Sequence, residues 1–145
     1  MRFDGEWLLC DDGTTRPVLR AEVFAGNDNW HSIELLLDTG ADRTVLSTNV
    51  LRLLDLPFSD GTAIAGIGGT AGVVTLETKL LFTRDGGKQV TFRGEYAACK
   101  DPETLDMSVL GRDILDMLAV VVDRPGGVVC LLGQRHGYVI EELTT

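Results

Sequence analysis

Apolar and β-branched runs of about five to eight residues recur along the chain, each closed by a cluster of Gly, Pro, Asn or Asp, and few stretches show helical spacing. Arg16 to Phe24 reads as a strand, Gly26-Asn27-Asp28-Asn29 as a turn by composition, and Trp30 to Asp38 as the returning arm of a hairpin. Val45 to Leu56 carries Val45, Leu46, Val50, Leu53 and Leu54, with Ser47 or Thr48 as caps. This predicts a short strand and one or two helical turns that stop before Pro57, because a residue preceding proline is pushed out of the helical region. Ala63 to Val74 is a glycine-rich turn between two extended arms, the second running on to Thr83. Asp85-Gly86-Gly87 turns the chain into Lys88 to Arg93, and Glu95 to Cys99 supplies another extended segment. From Ser108 an apolar strand end passes through Gly111 into apolar spacing of three and four at Ile114, Leu115 and Leu118, which predicts one short helix. Ala119 to Asp123 and Val128 to Leu132, joined by Arg124-Pro125-Gly126-Gly127, form a last hairpin, and no internal repeat or linker interrupts this all-β pattern.

Composition narrows the picture. At 145 residues, 44% hydrophobic and 24% charged, the chain fits one globular domain over 1–145, with a core expected over about 16–132 and extensions at 1–15 and 133–145. A formal charge of −9 argues against binding a nucleic-acid backbone or an anionic membrane surface, both of which need clustered Lys and Arg. No apolar run approaches the ~18 residues of a membrane span. Met117 to Val122 is broken at once by Asp123-Arg124-Pro125. The first twelve residues hold only a four-residue apolar stretch between acids, too short for a secretory signal, so the expected location is cytoplasmic. Cys10, Cys99 and Cys130 are far apart, and His31 and His136 are isolated. Neither a disulfide framework, a metal site nor a cofactor is expected from that spacing.

The chemistry concentrates at Leu35-Leu36-Leu37-Asp38-Thr39-Gly40, an apolar run ending in a carboxylate and a tight turn before the apolar residues resume at Val45-Leu46. A carboxylate delivered into a dry region is costly and usually has a task. Two such groups about 3 Å apart cannot both ionise, share a proton, and can act as acid and base on one water. The feature occurs once in the chain, so a second copy has to supply the other aspartate.

Three blocks in order, residues 35–47, 63–70 and 108–115, resemble the single-domain retroviral-type aspartic proteases, or retropepsins, and Arg16-Pro17 resembles the N-terminal pattern of that family. The resemblance implies a closed β-barrel half with one short C-terminal helix, acting as a symmetric homodimer on an extended polypeptide, with no cofactor and no metal. It implies that Asp38 is the dyad carboxylate, that the Thr39 hydroxyl bonds across the two-fold axis, and that Gly40 lets the backbone pass close to the dyad and substrate. Gly66-Ile67-Gly68-Gly69 resembles the tip of a flap that closes over substrate. The same glycines fit a relaxed dinucleotide fingerprint, but that fingerprint needs a following helix, and Val73-Val74-Thr75-Leu76 is strand-like.

By the same resemblance Arg112 pairs with Asp42, and Arg16 reaches toward the Asp42 region of the partner. Leu36, Ala41, Val45, Ile64, Ile67 and Val109 line the substrate groove, joined by Asp42, Arg43, Gly66 and Gly68. Two departures from the family pattern carry expectations. Ala41 stands where a Ser or Thr hydroxyl often donates to the ionised carboxylate, so activity is expected to extend from mildly acidic towards neutral pH. Arg43 replaces a second acid and favours an acidic substrate side chain in the outer subsites. The alternative function is a dimerisation or peptide-binding module of the same fold without turnover, or a latent protease whose groove is blocked by residues 1–15 or by the C-terminal tail.

Overall fold

The computed structural model describes residues 1–60, 72–133 and 141–142. Among these the alternating pattern produces eleven strands and two short α-helices. In chain order they are β1 (Arg2–Asp4), β2 (Glu6–Leu9), β3 (Thr15–Phe24), β4 (Trp30–Leu37), β5 (Val45–Leu46), α1 (Thr48–Leu53), β6 (Ser59–Asp60), β7 (Val73–Thr83), β8 (Gln89–Cys99), β9 (Ser108–Leu110), α2 (Arg112–Leu115), β10 (Ala119–Asp123) and β11 (Val128–Leu132).

The period-2 rule is plain in the β3–β4 hairpin. Leu19, Ala21 and Val23 on one strand and Ile33, Leu35 and Leu37 on the other are buried, and they alternate with Arg20, Glu22, Ser32 and Glu34. The larger sheet runs β2-β3-β4-β9-β5-β8-β7-β6. It closes on itself where Glu22 and Val23 of β3 pair with Leu81 and Leu80 of β7. Closure removes the inner edges and encloses one apolar core, which also takes in Leu46, Leu76, Phe82, Tyr96 and Leu110. The smaller sheet, β1-β11-β10, packs onto that core through Phe3, Val129 and Leu131.

Two features position the chemistry. β4 runs parallel to β9, with Leu35, Leu36 and Leu37 opposite Ser108, Val109 and Leu110. β5 lies between β8 and β9, parallel to the first and antiparallel to the second. The turn carrying Asp38 is therefore clasped between segments far apart in sequence. The expected hairpins at β3–β4 and β10–β11 are present, and α1 ends before Pro57 as predicted.

The structure differs from the sequence reading in two places. Residues 2–9, expected as part of an extension outside the core, form β1 and β2 and belong to both sheets. Phe3 is 1% exposed and stacks edge-on against Phe82 at 6.0 Å and close to Phe92 at 6.5 Å. Gly5 is the crossing point between the sheets: its N–H donates to the Val129 carbonyl at 2.8 Å, and a Cβ there would run into the Val18 carbonyl oxygen. The second difference is that residues 89–99, read as two segments, form one continuous strand in which Gly94 lies opposite Thr78.

Candidate active site

β4 ends at Leu37, and the Asp38 N–H donates to the Leu110 carbonyl of β9 at 3.1 Å. The chain then turns, with the Ala41 N–H on the Asp38 carbonyl at 3.2 Å and the Gly40 N–H on Asp38 Oδ1 at 3.0 Å. A backbone donor is thus aimed at the carboxylate itself and fixes its orientation in the turn. Asp38 was expected to be buried. In the single chain it is half-buried, and Thr39 and Gly40 are exposed. The reason is geometric: the inward alternation of β4 stops at Leu37, and the next three residues form a turn at the surface.

Behind the turn lies a brace that the sequence reading did not single out. Thr44 is fully buried; its N–H donates to Asp113 Oδ2 at 2.9 Å and its hydroxyl to Asp113 Oδ1 at 2.7 Å. The same hydroxyl accepts the Gly111 N–H at 3.1 Å, and Asp113 Oδ1 also accepts the Ile114 N–H at 3.0 Å. Backbone bonds run parallel to this network, from the Arg112 N–H to the Ala41 carbonyl at 2.9 Å and from the Asp113 N–H to the Asp42 carbonyl at 3.2 Å. Arg112 and Asp42 form the expected ion pair, although both side chains are well exposed, so their value is mainly orientation. Gly111 is required here, because a Cβ would strike the Arg43 backbone. The only sequence signal for this brace is the Asp that follows Gly111-Arg112 and a Thr immediately ahead of the Val45-Leu46 pair.

The apolar candidates separate by depth. Leu36 and Ala41 are half-buried and pack on a small cluster of Val45, Val73, Ala97, Cys99 and Val109, in which Val45 and Val109 are buried. Burial and the Asp101 charge push the Cys99 thiol up. Arg43 is half-buried and has no ion pair among the described residues. Ile64, Gly66, Ile67 and Gly68 lie outside the described residues; the strands flanking that segment pair antiparallel, Ser59 with Thr75 and Asp60 with Val74.

Arg16, expected to reach toward a partner subunit, is engaged within its own chain by Asp106 at 2.8 Å and Asp12 at 2.9 Å. Asp12 is held below the usual carboxylate range first by the Thr14 hydroxyl and amide and then by Arg16. No three His, Cys, Asp or Glu side chains gather in metal-binding proximity among the described residues. One open cleft of about 620 Å³, lined by Arg20, Glu22, Ser32, Glu34 and part of α1, does not include Asp38.

A sequence profile of the family described as retroviral aspartyl protease matches residues 14–122. The chain belongs to that family. The match spans β3 through most of β10 and so contains the Asp38 turn, the brace and α2. Among solved structures the chain is similar to the EIAV protease complexed with the inhibitor HBY-793, at 28% identity and a TM-score of 0.51, covering 70% of this chain and 86% of that one. It is also similar in fold to a retropepsin-like aspartic protease from Rickettsia conorii, at 18% identity and a TM-score of 0.54, covering 90% of this chain and 88% of that one. Membership of this aspartic protease family agrees with the mainly β architecture. Among the described residues no helix is long and apolar enough to cross a membrane.

Proposed function

We propose that this chain is an aspartic endopeptidase that acts as a homodimer, with one Asp38 from each copy forming the catalytic pair. The observation that carries the reading is the Asp38 carboxylate itself: half-exposed at a surface turn, met by the Gly40 N–H at 3.0 Å, and fixed from behind by the Thr44–Asp113 brace. An acid so rigidly presented yet unfinished on its open side suits a partner bearing the same group.

One Asp38, ionised, takes a proton from a water as that water's oxygen bonds to the scissile carbonyl carbon. The other Asp38, protonated, donates to the carbonyl oxygen. Collapse of the tetrahedral adduct breaks the C–N bond; the amine leaves with a proton from the first Asp38, and the second recovers its own. Thr39 braces the two turns across the axis, and Gly40 keeps the approach open. The substrate is an extended polypeptide held by backbone hydrogen bonds in β fashion, its side chains facing Leu36 and Ala41, with Arg43 favouring an acidic residue in an outer subsite. Of the two segments that a latent form would use to block the groove, residues 2–9 are occupied in the sheets, which favours the active reading.

The test is cleavage of a diverse peptide mixture between about pH 4 and 7 by the native protein and by Asp38→Asn, which keeps the shape and removes the acid. Cleavage by the native protein alone, with Asp or Glu enriched near the cut, is the expected result. Equal cleavage by both proteins, or none by a confirmed native dimer, would overturn the proposal.

A further inference from the structure

We propose that the open cleft of about 620 Å³ between the β3–β4 hairpin, α1 and the approach to β9 binds a basic segment of polypeptide. An arginine guanidinium rests on Glu22, and a main-chain carbonyl is received by two buried serines, Ser47 and Ser108. Binding stands apart from catalysis; its use as an anchor for substrates rests on the peptidase reading above.

The charge of the lining selects a cation. Four carboxylates, Asp4, Glu22, Glu34 and Asp106, line the cleft against one guanidinium, that of Arg20. Three of these acids already have a partner. Asp4 pairs with Arg2 at 2.8 Å, Asp106 with Arg16 at 2.8 Å, and Glu34 with Arg20 at 3.1 Å, while Arg20 also holds Glu6 at 2.7 Å. Glu22 is half-buried, and its carboxylate has neither an ion pair nor a hydrogen bond among the described residues. A cleft walled by one sign of charge concentrates its field on ions of the other sign.

The hydroxyls of the lining select what accompanies that cation. Ser47 is 6% exposed and lines the cleft, yet its hydroxyl makes no hydrogen bond among the described residues. It stands at the N-cap of α1, where a serine ordinarily bonds a helix amide, and here it does not. Ser108 is 2% exposed and accepts the Ser47 N–H at 2.9 Å, while its own proton has no acceptor among the described residues. Buried polar groups are seldom left in this condition. Ser108 has a proton to donate, Ser47 can donate or accept, and ionised Glu22 only accepts. An arginine residue within a polypeptide answers all three, because it brings a cation and a carbonyl together. A protonated polyamine carries no acceptor and would leave the Ser108 proton unanswered. Arginine is favoured over lysine because its fork can meet both Glu22 oxygens, and its stem can lie on Val50 and Leu53 of α1.

The cleft is separate from the candidate active site. It does not include Asp38, and Glu34 precedes Asp38 by four residues, about 13 Å along an extended strand. A polypeptide held both here and in the catalytic groove is bound at two points, the second adding affinity without entering the chemistry. Such a substrate carries an acid near the cut, as Arg43 favours, and an arginine farther along its chain.

The test reads binding without turnover. Amide nitrogen-15 spectra of the full chain are followed at about pH 7 as the blocked pentapeptide acetyl-Ala-Ala-Arg-Ala-Ala-amide is added, with mass spectrometry confirming that it stays intact. Saturable shifts are expected at the amides of Glu22, Ser32, Ser47 and Asn49, with Thr39 and Gly40 unmoved. Glu22→Gln is expected to weaken binding at least about tenfold and Ser47→Ala about threefold, each with an otherwise native spectrum. Glu95→Gln, which removes an exposed carboxylate of β8 outside the cleft, is expected to leave binding unchanged. The same peptide with citrulline in place of arginine is expected not to bind.

Absence of saturable shifts at these amides, shifts centred on residues 38–41, or equal losses from Glu22→Gln and Glu95→Gln would overturn the proposal. Spermidine acting on the same amides as tightly as the peptide would also overturn it, assigning the cleft to free polyamines. Because the probe is not cut, an inactive protein that still binds it would refute the peptidase reading and leave this site standing.

Discussion

Asp113 is the side chain on which the geometry of the candidate site most depends. It accepts from the Thr44 N–H on one oxygen and from the Thr44 hydroxyl and Ile114 N–H on the other. Asn in its place can present one acceptor but must turn an NH2 group toward a donor, leaving a buried N–H without a partner at a cost of about 1–3 kcal/mol. Asp113→Asn is therefore expected to lower the free energy of unfolding by that amount, shifting the urea midpoint down accordingly, and to reduce kcat more than KM, because it loosens the Asp38 turn without touching substrate. Urea titration followed by steady-state kinetics on the same preparation checks both halves. Asp38 was readable in the sequence because an apolar run ending in Asp-Thr-Gly is a local signal. The Thr44–Asp113 contact spans 69 residues and has no local signature, so it emerged only from the fold.

At the level of elements, strands announced themselves wherever an alternating or continuous apolar run held over several residues and a Gly, Pro, Asn or Asp cluster followed. β3, β4, β10 and β11 all meet that condition. β1 and β2 do not. They are three and four residues long, and β1 has a single buried residue, Phe3, between Arg2 and Asp4. Gly94 misled in the opposite direction, since a glycine inside a strand suggests a break, yet the backbone of β8 continues through it.

That continuity brings Tyr96 into the core at 4% exposure, its hydroxyl donating to the Phe92 carbonyl at 2.6 Å. Burial first and the Asp113 charge second push the phenol up to about 12. The raised value means that the folded state holds the proton that the unfolded chain releases near pH 10. Stability from this residue is thus complete below about pH 10 and lost as pH rises to about 12. Tyr96→Phe is expected to be less stable than the native protein at pH 8, by about 1 kcal/mol for the lost hydrogen bond, and to lose its disadvantage by about pH 12. Urea midpoints across that range would show the two curves converging.

For the whole molecule the formal charge of −9 has an effect opposite to its usual role. Two copies of like charge repel at a distance, and added salt screens that repulsion. Raising salt from about 0.05 to about 0.5 M is therefore expected to tighten the dimer several-fold and to raise specific activity at low protein concentration. Sedimentation and peptide cleavage at matched concentrations check this; a dimer weakened by salt would point to an interface held by ion pairs. The apolar core follows from strand patterning in the sequence, as the barrel closure does from the family resemblance. The pairing of β4 with β9 does not, because parallel partners are chosen by the closed sheet as a whole and no local turn joins them.

That parallel clasp also sets the order of events in the life of a chain. The Asp38 N–H has its acceptor at Leu110, and the turn behind it is fastened by residues 111–113. Bringing such distant segments together is slow compared with closing a hairpin, typically milliseconds to seconds for topologies of this kind. A chain still being synthesised carries the Asp-Thr-Gly tripeptide long before anything can hold it in shape. On the proposed peptidase reading, competence to cut peptides then arrives late, after the last third of the domain has emerged and folded, and a nascent chain is spared its own chemistry by the timing of its topology.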